Sequence, residues 1–110
     1  MLFSITANYT VKALNAMAEN PNTDRRAAFE KLVTAAGGKL VGLYFTASDG
    51  PGVLAIIDVE PTSAAAIVGT IAATDSARDI KMTRLWINDE VIAVRKKRIE
   101  LQAAFKAPGQ

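Results

Sequence analysis

The chain has no cysteine and no histidine among its 110 residues. Without cysteine there is no disulfide, no thiolate nucleophile and no thiolate-held metal, and an oxidising compartment is neither required nor indicated. Without histidine the usual general base and the commonest metal ligand are both missing. Excess charge is scarce as well. The 13 Lys and Arg stand against 11 Asp and Glu, a net charge of +2, too little for the sequence-independent phosphate attraction behind nucleic-acid affinity. The apolar run Val53 to Ile57 is far shorter than the ~20 residues that cross a bilayer. The opening Met1-Leu2-Phe3-Ser4-Ile5-Thr6 has no basic segment and turns polar too early for a signal-peptide core. The expectation is a bacterial-type cytoplasmic protein with no membrane contact and no cofactor or metal.

What is present fits one ordinary globular domain: 50% hydrophobic and 22% charged residues, in a chain long enough for a single core. From Leu2 to Tyr9 the residues alternate, with Phe3, Ile5, Ala7 and Tyr9 on one side, which predicts a strand with one apolar face. Thr10 can cap a short helix carrying Val11, Leu14 and Met17, and Asn20-Pro21-Asn22 ends it. Thr23, with Asp24 in the first turn, is the expected cap of a second helix. There Phe29, Leu32, Val33 and Ala36 fall at the spacing of one buried face, and Gly37-Gly38 supplies the stop.

Lys39 to Thr46 reads as a strand, Ala47 to Gly52 as a turn-rich link with Asp49 as a turn former, and Val53 to Ile57 as the return strand of a hairpin. Thr62 or Ser63 is the expected cap of a helix with the stripe Ala64, Ile67, Val68 and Ile71. A last strand is predicted from Asp79 to Ile87, and a helix capped by Asn88 from there to about Phe105. The order strand, helix, strand, strand, helix, strand is the split βαβ of an α+β, ferredoxin-like fold: one antiparallel sheet with helices on one face, followed by a C-terminal helix. The division expected is a domain over residues 1–90 and a helical extension with a short tail over 91–110.

Several stretches together resemble the GYD-domain family. They are Asn8-Tyr9-Thr10 at the end of the first strand, Arg25 to Val33 before Gly37-Gly38-Lys39-Leu40, and Tyr44-Phe45. The aliphatic strand Val53 to Asp58, Ala64-Ala65-Ala66 and Ile80 to Leu85 complete the set, so that the resemblance covers roughly residues 3–90. It implies a ferredoxin-like fold of the dimeric α/β-barrel type. Where that family has Gly-Tyr-Asp this chain has Gly50-Pro51-Gly52, so the role of that Tyr and Asp is not available here.

Motifs that suggest chemistry have plainer readings. Gly50-Pro51-Gly52-Val53-Leu54-Ala55 matches a dinucleotide fingerprint in form, but a strand follows it where a helix N-terminus is needed for the phosphate. Gly37 to Gly42 lacks the Lys-Ser or Lys-Thr ending of a P-loop. Asp58 and Glu60 are spaced to share one side of a strand, and a surface pair accounts for them. Arg95-Lys96-Lys97-Arg98 winds round all sides of a helix and reads as a solvated face. The strand that would stack bases in an RNA-recognition module, Val53 to Ile57, has no aromatic ring, so nucleic acid is not an expected partner.

Asn8, Tyr9, Tyr44, Lys81, Arg84 and Trp86 all fall on predicted strands and would line a candidate cavity if the sheet formed one wall of it. Two phenols, an indole and fixed cations suit a small anionic or aromatic ligand; core, interface and edge roles account for the same six residues. Val53 to Ile57 is apolar at consecutive positions and needs cover on both faces, while the helices cover only one. Two aliphatic side chains left in water forgo several kcal/mol at about 25 cal/mol per Å². A second copy's sheet is the economical cover, which makes Leu54 and Ile56, with Val94, Leu101 and Phe105 of the last helix, the candidate homodimer interface. The reading favours a non-catalytic or small-ligand-binding homo-oligomer that works at or beside its sheet-sheet interface. The alternative is a cofactor-independent enzyme, such as a small monooxygenase acting on an aromatic substrate in the barrel cavity, as the dimeric α/β-barrel resemblance allows.

Overall fold

A computed structural model describes residues 1–47 and 50–110; the turn former expected at Asp49 lies outside the described residues. The elements are β1 (Leu2–Tyr9), α1 (Val11–Glu19), α2 (Arg25–Ala35), β2 (Lys39–Thr46), β3 (Gly52–Asp58), α3 (Pro61–Ala73), β4 (Ala77–Leu85), α4 (Asn88–Leu101) and a 3₁₀ turn, Gln102–Ala104. The strands form one antiparallel sheet in the order β2-β3-β1-β4. This is the ferredoxin-like α+β architecture expected from the element order, with the C-terminal helix added.

Strict alternation along β1 sends Phe3, Ile5 and Ala7 to the buried side. Ala55 and Ile57 of β3 stand opposite Ile5 and Phe3, and Val33 of α2 with Ala64 and Ile67 of α3 close the core over them. A register shift between Leu40 and Gly42 marks a bulge in β2. It lets Leu40 and Leu43, an odd number of positions apart, both face the helices opposite Ile57 and Ala55. β4 has a second irregularity: its register against β1 shifts between Thr6 and Asn8, and Asp79 is left-handed at φ 55.

The helix ends depart from expectation in three places. Asp24 caps α2 through the Ala27 N–H at 2.9 Å, while the expected cap, Thr23, donates its hydroxyl to the Asn20 carbonyl at 2.7 Å. Helix α3 begins earlier, with Glu60 at the cap and Pro61 as first residue; proline has no N–H to satisfy there and its fixed φ suits the first turn. Ile87 takes the cap position of α4 and Asn88 is its first residue.

The last strand is also displaced. It runs from Ala77 to Leu85, not from Asp79 to Ile87, because Leu85 already pairs with Leu2, the first residue of β1. Beyond it there is no strand left to bond, and Trp86 and Ile87 leave the sheet.

Gly38 lets the turn between α2 and β2 pass close to the end of β3. A Cβ there would stand 1.9 Å from Val59 Cγ1 and 2.8 Å from the Asp58 carbonyl oxygen. At the other extreme, α4 leaves the body after its first turn. Every residue after Val91 is exposed, and the molecule measures 62 × 32 × 22 Å with a radius of gyration of 18.1 Å, against about 13 Å for a compact chain of this length.

Candidate functional site

Between the sheet and helices α2 and α3 lies a cavity of about 170 Å³, where protein interiors ordinarily leave few voids larger than a water molecule. Its floor is Ile5, Ala7, Val53 and Ala55, and its walls include Phe29 and Leu32 of α2, Ile71 of α3 and Ile80 of β4. These side chains face inward because the alternation of β1 and β3 and the 3.6-residue stripes of the two helices turn them there.

One end of the cavity is polar. Tyr9 ends β1 on the same side as Ile5 and Ala7, and Arg25 opens α2 above it; Thr70, Thr74 and Ser76 complete that end. The Thr70 hydroxyl donates to the Ala66 carbonyl at 2.8 Å and Thr74 to the Ile71 carbonyl at 2.7 Å. Thr74 and Ser76 share a hydroxyl contact of 2.6 Å; with the Thr74 proton already committed, Ser76 is the donor. All three hydroxyl protons are therefore used. Tyr9 is half-buried and Arg25 exposed, which puts the guanidinium at the rim.

Burial pushes the Tyr9 pKa above its ordinary value of 10.0, and the neighbouring Arg25 guanidinium offsets part of that rise. The phenol is thus a neutral O–H donor at physiological pH. Among the described residues the guanidinium ion pairs are Arg26–Glu30, Arg78–Asp79 and Arg84–Glu90, so no carboxylate of that set neutralises Arg25. No group of three or more Asp or Glu converges as a metal site among the described residues, and none of their helices is long and apolar enough to cross a membrane.

The six residues singled out in the sequence fall in three places. Tyr9 alone enters the helix-side cavity. Asn8 and Lys81 lie on the opposite, helix-free face, in a mixed polar and apolar depression with Thr6, Thr46, Leu54, Arg78 and Asp79. Tyr44 shares that face, opposite Leu54 on the neighbouring strand. Arg84 and Trp86 sit together at the far end of the sheet, with the Arg84 guanidinium 4.9 Å from the indole centre and 5.6 Å from the Phe3 ring. Asp58 and Glu60 do not act as a pair either. Asp58 accepts from the Met1 ammonium at 2.7 Å, which lowers its pKa, and Glu60 stands at the cap of α3.

Leu54 and Ile56 are half-buried on the helix-free face, and Val94, Leu101 and Phe105 are 46%, 55% and 76% exposed. Sequence reading did not single out Arg25. A signal for it exists, since Arg25-Arg26 opens a helix at the end where the backbone dipole favours anions, an arrangement that propensity alone does not select.

Fold and site together define a ferredoxin-like α+β domain with a ligand-sized cavity between its helices and its sheet. The GYD domain model matches residues 3–94, and the chain belongs to that family. No curated protein matches it.

Proposed function

We propose that this GYD-domain protein is a cytoplasmic homodimer that binds a small, mainly apolar molecule in the cavity between sheet and helices, without catalysing its conversion. The observation that carries the reading is the cavity of about 170 Å³, set in a core whose other members, such as Val33 and Ile57, are fully buried. An apolar cavity of about 150 Å³ is large enough to take benzene. The lining offers hydroxyls and one guanidinium, and no residue that accepts a proton near neutral pH, which favours binding over acid–base chemistry.

The second copy would cover the helix-free face, where Leu54 and Ile56 stand beside Tyr44 and near Leu2 and Leu85. The α4 arm would then lay Val94, Leu101 and Phe105 along the partner. Pairing of sheets on this face leaves the ligand cavity, on the other face, unobstructed.

The test is a cavity-filling variant. Melting of the wild type should shift upward in saturating benzene, and Ala28→Phe, which reaches into the cavity from α2, should melt higher alone and lose the benzene response. Wild-type protein indifferent to benzene would sink the binding reading. Oxygen uptake driven by a phenolic substrate would favour the cofactor-independent oxygenase instead.

A further inference from the structure

Resting on the cavity reading above, we infer that the ligand carries an anionic head group, a carboxylate on a body about the size of one ring, held by Arg25 and the Tyr9 hydroxyl. Three observations lead there. The cavity is apolar along its floor and polar at one end only, so it would orient a molecule with one polar terminus. The hydroxyl protons of Thr70, Thr74 and Ser76 are committed to neighbouring oxygens, which leaves the Tyr9 O–H and the Arg25 N–H groups as the side-chain donors at that end. Finally, Arg25 lines the cavity without a carboxylate at ion-pair distance among the described residues.

A site with spare donors and an uncompensated cation recognises an acceptor-only, negatively charged group. A neutral amide of the same shape would place N–H groups against those donors. A guanidinium presents two parallel N–H groups that match the two oxygens of a carboxylate, and the phenol adds a third donor. The ring or short alkyl body would then lie over Ile5 and Ala55 between Phe29 and Ile71, a space matched to one ring by its volume.

Three probes separate this inference from the reading it rests on: benzene, benzoate and the near-isosteric neutral benzamide, titrated into the full chain by NMR. Benzoate should bind about tenfold or more tightly than benzamide, as expected for charge-assisted hydrogen bonds. Arg25→Gln should abolish that preference and leave benzamide binding within about twofold, Arg25→Lys should restore part of it, and Tyr9→Phe should weaken benzoate about fivefold. Equal binding of benzoate and benzamide, or a preference that survives in Arg25→Gln, overturns the anionic head group while benzene binding leaves the cavity reading standing. Failure of all three probes to bind overturns both.

Discussion

Arg84 stacks on Trp86, with the guanidinium carbon 4.9 Å from the centre of the indole, and the same guanidinium pairs with Glu90 in the first turn of α4. Through it the last strand, the residue that leaves the sheet and the C-terminal helix are held by a single side chain, which also donates to the Leu2 carbonyl at 3.2 Å. Two stacking contacts and a partly shielded ion pair give Arg84→Ala an expected cost of about 1–2 kcal/mol, or several degrees in Tm. Arg84→Lys keeps the charge and loses the planar stacking, so it should fall between. A thermal melt of Arg84→Ala superimposable on the wild type would show that the clamp contributes nothing.

Glu90 gives this clamp a pH dependence. The Ile87 N–H bonded to its carboxylate, and after it Arg84, hold its pKa below the ordinary 4.5. A depressed folded value means that the unfolded chain binds the proton more readily. The stabilisation is therefore complete above the ordinary carboxylate range, about pH 5, and is lost as pH falls through that range toward the lower folded value. Asp58, bonded first of all by the terminal ammonium, acts in the same direction. Glu90→Gln should flatten the acid side of a Tm-against-pH curve; a slope unchanged from wild type would assign the effect to other carboxylates.

The adjacent glycines at the end of α2 should respond differently to alanine. Gly37 is left-handed at φ 80 with open space around its missing Cβ, so Gly37→Ala should cost about 1–2 kcal/mol of backbone strain. At Gly38 the new methyl meets Val59 Cγ1 at 1.9 Å and backbone at 2.8 Å, so the expected loss is about 3 kcal/mol or more. Adding Val59→Ala should recover part of it. Equal denaturation midpoints for the two single variants would contradict the close approach.

The proposed dimer can be dissected on both of its parts. Leu54→Glu puts a charge in the middle of the helix-free face, and removal of residues 91–110 takes away the arm. Each should lower the mass measured by sedimentation at micromolar concentration or shift the dissociation midpoint upward by about tenfold or more, the first because a buried unpaired carboxylate costs about 3–5 kcal/mol, the second because the apolar contacts of Val94, Leu101 and Phe105 are lost. A shortened chain that keeps an unchanged dimer of unchanged stability would remove the arm from the interface.

Much of the fold was legible because local rules and tertiary packing agree. The bounds of β1 and β2, the break at Pro21 and the stripes on α2 and α3 follow from periodicity and capping. The misplaced β4 shows where agreement fails. Its extra residue near the left-handed Asp79 breaks the period, and its end is set by the end of β1, a partner far away in sequence. The site was legible only in Tyr9, whose side follows from the alternation of its own strand. Asn8 and Lys81 belong to the opposite face, and Arg84 and Trp86 to the far end, because membership of a strand does not say which face or end converges with which. Arg25 was hidden for a related reason, since its partner across the cavity comes from another element.

The bare α4 arm has a consequence for proteolysis. A helix of 14 residues tied to the body only through its first turn is marginal in water, and its basic run, residues 95–98, places four tryptic sites on it. In dilute solution trypsin should trim the chain there first and stop at the sheet domain. If the arm lies on a second copy, cutting should slow as protein concentration rises. The limit of digestion would then report directly on association.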